Sequence, residues 1–242
     1  MVFSKVLRAL ARTRTREAIV SLTFDDAYKS IYLNAFPSMK EHGFNGVIFV
    51  IVGLIGDYFE GHKIMDIKQL HEVYRDGWEI GSHSFSHPWS LKFNNYTLEQ
   101  YSAEITLSKL KLEKLGFDVI SFSYPHGFNS ASPMTEEVKR SYNYARTSNK
   151  GINEICQSNL LLKSVPFAND RINDVKRWID KVKSKGGWLV ITCHGIASDM
   201  APLPEPVYCW SHRAAFNRLL DYIEKKEIHV TTFRDLNKIG DN

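Results

Sequence analysis

Cysteine is scarce in this chain: three residues in 242, at Cys156, Cys193 and Cys209, with no paired spacing. That excludes a disulfide framework and points to a reducing interior, or to a mature form cut from a longer precursor. No run of about eighteen apolar residues occurs, which excludes a membrane-spanning helix. The first residues lack the apolar stretch of a secretion signal because charges interrupt them throughout, so a cytoplasmic location is the expectation. Charge of one sign is in small excess, +4 overall, and no nucleic-acid partner is expected. Much of that excess lies in an N-terminal arm where Lys5, Arg8, Arg12, Arg14 and Arg16 face only Glu17. The arm reads as a solvated terminus, or as a weak contact with an anionic membrane surface. Internal repeats, low-complexity tracts and Gly/Ser/Pro linkers are missing too. Residues 1–17 therefore read as a basic arm and 18–242 as one domain.

What is present is an alternation of two patterns. Apolar, β-branched runs over 18–24, 46–52, 78–81, 119–123, 160–165, 188–192 and 228–231 read as strands, with a short one at Ala145. Between them lie helical patterns: one ending near Gly43, then 66–75, 97–115, 136–142, 172–185 and 212–226. Strand and helix alternating about seven times implies a parallel α/β sheet. A barrel is one closure and an open doubly wound sheet the other; periodicity alone does not choose.

The unusual residues sit directly after strands: Asp25-Asp26, His83, the turn around Pro125-His126-Gly127, and His194. Strand C-termini of a parallel fold share one face, so these clusters converge in space. His83 and His87 are four residues apart, which on a helical turn puts both imidazoles on one face within reach of one metal ion. Asp25 and Asp26 are adjacent carboxylates that push each other's proton affinity apart; they are alternatively the cap of the following helix. One carboxylate and two imidazoles make a three-ligand facial set with positions open for water and substrate. His194 reads as a proton-transfer group or as a hydrogen-bonded core histidine. The turn 123–127 offers backbone amides to a developing oxyanion, or is simply a tight turn.

Taken together these stretches resemble the polysaccharide deacetylase family (the NodB-homology domain, carbohydrate esterase family 4). Thr23-Phe24-Asp25-Asp26 is similar to its first motif and His83-Ser84-Phe85-Ser86-His87 to its H-S/T-x-x-H motif. Tyr124-Pro125-His126-Gly127 looks like the third and Cys193-His194 like the last, over roughly residues 18–235. The resemblance implies a distorted TIM-like (β/α) barrel of about seven strands and metal-dependent removal of acetyl from an N-acetylated sugar or polysaccharide. By it, Asp25 is the general base, Asp26, His83 and His87 hold zinc or a similar divalent ion, His194 is the general acid, and the His126 N–H donates to the oxyanion.

Two positions depart from the family pattern. Ser123 stands where an arginine usually pairs with the catalytic Asp, leaving Arg146 or Arg171 as candidate partners. The Asp-Trp motif that supports the acid histidine is not recognisable, and Asp170 is the candidate for that role. On the substrate side, Tyr124, Pro125, Trp89 and Trp210 are candidate contacts, with Asn129, Met200 and the loop 202–206 shaping the groove; Trp178 and Trp188 read as core. Two other activities are compatible with the same residues: a metal-dependent amidase acting on a cyclic ureide, imide or formamide, and a carbohydrate-binding pseudoenzyme.

Overall fold

The computed structural model describes residues 17–89, 96–127, 133–204 and 210–239. The basic arm up to Arg16, Asn129, Glu205, Pro206 and Cys209 lie outside the described residues. Nine strands form one sheet: β1 Ala18–Phe24, β2 Val47–Val50, β3 Glu79–Ser82, β4 Ser121–Ser123, β5 Tyr144–Arg146, β6 Asn159–Leu162, β7 Ser164–Pro166, β8 Gly187–Cys193 and β9 His229–Val230. Every pairing in it is parallel, in the order β6-β5-β4-β3-β2-β1-β8-β7, with β9 beside the first half of β1. The helices α1 Phe36–Glu41, α2 Ile67–Arg75, α3 Leu98–Lys114, α4 Pro133–Ser141, α5 Ile172–Lys185, α6 Arg213–Lys225 and α7 Phe233–Ile239 complete the fold.

The choice between barrel and open sheet is settled at Lys163. β6 pairs with β5 and β7 with β8, yet only Lys163 separates β6 from β7 along the chain. The two edges of the sheet are thus the two halves of one extended run, and the barrel is nearly closed. Thr147 N–H donates to Leu162 O (2.8 Å) and Ser164 Oγ to Thr147 O (2.7 Å) across the seam.

Strand alternation decides what faces the barrel interior. Val20, Leu22 and Phe24 of β1 pack outward in the layer under the helices, as do Leu189, Ile191 and Cys193 of β8. Ile19, Trp188 and Val190 face inward with Val47, Phe49, Tyr144 and Leu162. This inner layer is closed from below by Phe233 of α7, whose ring lies 5.0 Å from Trp188 and 5.7 Å from Tyr144. The same parity carries Ser21, Thr23 and Asp25 inward on β1, and Trp188, Thr192 and His194 inward on β8. Their hydroxyls are tied in: the Trp188 indole donates to Ser21 Oγ (2.9 Å), Ser21 Oγ to Thr231 O (2.6 Å) and Thr23 Oγ1 to Ile191 O (3.0 Å).

The helices expected over 66–75 and 97–115 start at capping residues. Asp66 and Thr97 each form a capping box, with Gln69 and Gln100 respectively. Gly186, at φ 73°, ends α5. Helix α7 and a small hairpin, Tyr58–Phe59 with His62–Lys63, are elements that periodicity did not announce, because each is too short to show a period.

Candidate metal centre and active site

Asp25 lies at the interior face just above β1 and is 3% exposed. The guanidinium of Arg146 reaches it through the barrel from β5, with Nη2 donating to both Asp25 Oδ2 and Ser123 Oγ. Ser123 and Arg146 are register partners on β4 and β5, so the expected arginine has moved one strand over and enters the same space. Arg171 instead sits exposed on the cavity wall. Burial by itself would raise the Asp25 pKa, but Arg146, aided by His83 and His194, outweighs it and holds the carboxyl down at about 2. It is ionised at neutral pH.

Asp26 turns back on itself. Its φ of 66° and Ala27's of 57° are left-handed, and they swing the carboxylate to 3.6 Å from His83 Nε2 and 3.8 Å from His87 Nε2. Neither Asp caps a helix: the helical stretch that follows begins at Lys29, three residues after Asp26. Burial, the Asp25 charge and Glu60 raise the Asp26 pKa well above the carboxylate norm. Tyr28, unnoticed in the sequence, hydrogen-bonds the same carboxylate.

The two histidines are not on a helix. They flank a loop in which Ser84 (φ 67°) and His87 (φ 52°) are left-handed, and this brings their rings to 4.7 Å between centroids. His83 Nδ1 lies 2.8 Å from Ser123 O; a carbonyl only accepts, so Nδ1 carries the hydrogen and Nε2 presents its lone pair to the site. Burial drives both imidazoles toward the neutral form, His83 to about 4 and His87 to about 2. One donor atom from each of Asp26, His83 and His87 lies within 4.8 Å of the others. Asp26 Oδ1 is buried with no hydrogen-bond partner among the described residues. Two neutral imidazoles and an orphaned carboxylate oxygen are what a divalent cation requires, and zinc, with its nitrogen and oxygen preference, fits them.

His194 ends β8 with Nε2 3.9 Å from Asp25 Oδ2 and 3.9 Å from Asp26 Oδ2. Burial lowers its pKa against the pull of Asp25, so the resting imidazole is neutral. Its buried Nδ1 has no hydrogen-bond partner among the described residues. Asp170, the candidate support, belongs to the turn Asn169–Arg171, and its side chain lies outside the described residues.

Beyond β4 the turn Pro125–Gly127 bends at His126 (φ 58°), whose Nε2 donates to Pro88 O (3.1 Å) and whose ring stacks on Trp89 at 5.5 Å and 13°. Tyr124 and Pro125 are corrections: both are buried and neither lines the cavity. With Ser123 facing inward, Tyr124 faces outward beside Phe122 (5.4 Å between rings), so it anchors the turn from behind. Met200 is 96% exposed and likewise off the wall. Trp210 is on it, tilted against Tyr28 (5.0 Å) and His62 (4.8 Å). A Cβ at Gly195 would come within 2.2 Å of that indole, so the residue after His194 must be glycine. These side chains surround a cavity of about 890 Å³ above the carboxylates, and the hairpin adds Phe59, Glu60 and His62 to its rim.

The polysaccharide deacetylase family profile matches residues 12–147, more than half of the chain. The Bacillus subtilis protein YxkH, whose name places it among polysaccharide deacetylases, is 29% identical over 136 residues, 56% of this chain and 46% of that protein. A Staphylococcus aureus poly-beta-1,6-N-acetyl-D-glucosamine N-deacetylase is 32% identical over 92 residues, 37% of this chain and 31% of its own length. The chain thus spans less than half the length of these curated relatives. A Streptococcus pyogenes deacetylase solved in complex with acetate superposes with a TM-score of 0.55 at 26% identity, over 68% of this chain and 71% of that one.

Proposed function

Because the chain belongs to the polysaccharide deacetylase family, we propose that it is a metal-dependent hydrolase removing N-acetyl groups from an N-acetylated sugar or polysaccharide. The observation that carries this reading is the meeting of Asp26, His83 and His87 at one point beneath an open cavity, with Asp25 and His194 beside them. A divalent cation held there, zinc for preference, supplies Lewis acidity, polarising the acyl carbonyl and lowering the pKa of water.

The chain's own groups then move one proton. Asp25, kept ionised by Arg146, accepts it from the attacking water. His194 Nε2, neutral at rest and 3.9 Å from Asp25, receives that proton and delivers it to the nitrogen of the breaking C–N bond. The products are a free amine and acetic acid, which ionises to acetate by giving its proton to the amine or to solvent, and Asp25 and His194 return to their starting states. The backbone N–H of His126, in the turn over the site, is the donor assigned to the carbonyl oxygen as it gains charge. Trp89 and Trp210, both lining the cavity, offer apolar faces to pyranose rings.

The test is Asp25→Asn in zinc-loaded protein, followed by amine release from N-acetylglucosamine oligomers. Turnover is expected to fall by about 10²–10⁴-fold, the usual worth of a proton-transfer group, while bound zinc is unchanged. Persistent activity would remove Asp25 from its role. Turnover of cyclic imides with none of the oligomers would overturn the sugar reading.

A further inference from the structure

We propose that Glu104, on α3, is a positioning residue for the two metal-binding histidines and acts by gripping the loop between them. It is 9% exposed and has no ion-pair partner among the described residues. Its carboxylate is instead spent on three donors of the histidine loop. Oε2 accepts Phe85 N–H (3.0 Å) and Ser86 N–H (2.8 Å), and Oε1 accepts Ser86 Oγ–H (2.5 Å).

The loop needs such a grip because its shape is costly. Ser84 and His87 both hold left-handed φ without being glycine, and only this shape turns His83 and His87 toward the same Asp26 oxygen. On the side facing β2, Val52 N–H donates to Ser84 O (3.2 Å) and Gly53 N–H to Phe85 O (2.8 Å). Within the loop His87 N–H donates to Ser84 Oγ (3.0 Å). Those bonds satisfy the carbonyls; at the apex Phe85 N–H is shared between the Glu104 carboxylate and the Glu104 backbone O (3.0 Å), and Ser86 N–H is satisfied by the carboxylate. Without the carboxylate, Ser86 N–H in a part-buried place is left unpaired and Phe85 N–H keeps only the backbone carbonyl, and the loop relieves that by turning toward water. His87, at the end of the apex, moves with it.

This inference rests on the metal reading of Asp26, His83 and His87. It is tested on the full chain stripped with chelator, by zinc competition against a chromophoric chelator and by the zinc-induced rise in Tm. Glu104→Gln keeps one acceptor oxygen but replaces the charge-assisted bonds to the loop with weaker neutral ones, and its zinc affinity is expected to fall about 10-fold, the low end for outer-shell partners of ligands. The zinc-induced rise in Tm shrinks in step, which a merely structural lesion would not cause. Ser86→Ala, which loses one bond of the three, is expected to weaken zinc less than Glu104→Gln but measurably. If Glu104→Gln does not fold, Ser86→Ala decides. A folded Glu104→Gln, or in its absence Ser86→Ala, with wild-type zinc affinity overturns the proposal and leaves the metal site standing. A wild-type chain that takes up no zinc overturns both.

Discussion

At the upper end of the barrel Asp25 is buried against the Arg146 guanidinium; at the lower end Glu79 is buried against a serine hydroxyl and a backbone N–H. Glu79 Oε1 accepts from Ser121 Oγ (2.5 Å) and Oε2 from the Arg234 N–H that opens α7 (2.7 Å). Both carboxyls are interior residues of the same sheet, and burial raises the pKa of each. At Asp25 a full positive charge overturns that effect and the pKa falls to about 2. At Glu79 the hydrogen bonds from Ser121 and the Arg234 N–H, with a smaller pull from the Arg234 charge that Asp235 counters, offset it only in part and the pKa rises to about 7. Burial therefore does not set the charge state of a carboxyl in this barrel; the formal charge of its partner does. At the upper end the guanidinium bonds the carboxylate directly; at the lower end the arginine's backbone N–H does, and its charge acts only weakly.

Removing the cation should break this contrast most severely. Arg146→Met leaves Asp25 buried and unpaired, and is expected to cost about 3–5 kcal/mol in urea unfolding, the usual penalty for halving a buried ion pair. Turnover should fall with it, because Asp25 then takes up a proton to stay buried; a loss below 1 kcal/mol would show that the pair is not what holds this end.

The lower end responds to pH instead. The folded chain keeps the Glu79 proton up to about pH 7, while an unfolded glutamate releases it near 4.5, so folding takes up a proton in that window. Stability contributed by this group is present below about 4.5 and is lost as pH rises through about 7. Glu79→Gln is expected to match the wild type near pH 4 and to exceed it at pH 8 by up to about 3 kcal/mol. Thermal melts at the two pH values measure this, and an equal shift at both would refute it.

The smallest effect lies outside both charge networks, at the rim. Trp89 is 65% exposed, so Trp89→Ala should leave stability within about 0.5 kcal/mol. If its ring carries a sugar, KM rises about 3–10-fold with kcat unchanged, the worth of one aromatic contact.

Much of the site could be read from the chain because its residues follow strand ends. Asp25, Asp26, His83 and His194 each come directly after an apolar run, and a parallel sheet brings such positions together whatever their separation in sequence. The motif points to Tyr124 and Pro125 on the substrate side, but inward or outward facing depends on where β4 begins and ends. Arg146 was one of two candidates for Asp25, and only the β4–β5 register puts it opposite Ser123. Glu104 carried no signal, being one acid among others on an amphipathic helix.

The sequence by itself determined the alternation of strands and helices, the parallel class of the sheet and the carboxylate and imidazole side chains at its C-terminal ends. Those are properties of local period and residue chemistry, carried within about ten residues. Tertiary structure decided the rest: closure at Lys163, the plug of Phe233, the pairing of Arg146 with Asp25 and the left-handed loop that aims His83 and His87. Each of these joins groups distant along the chain whose interaction depends on register, burial and the sign of a neighbouring charge, and none of those three exists until the barrel has closed.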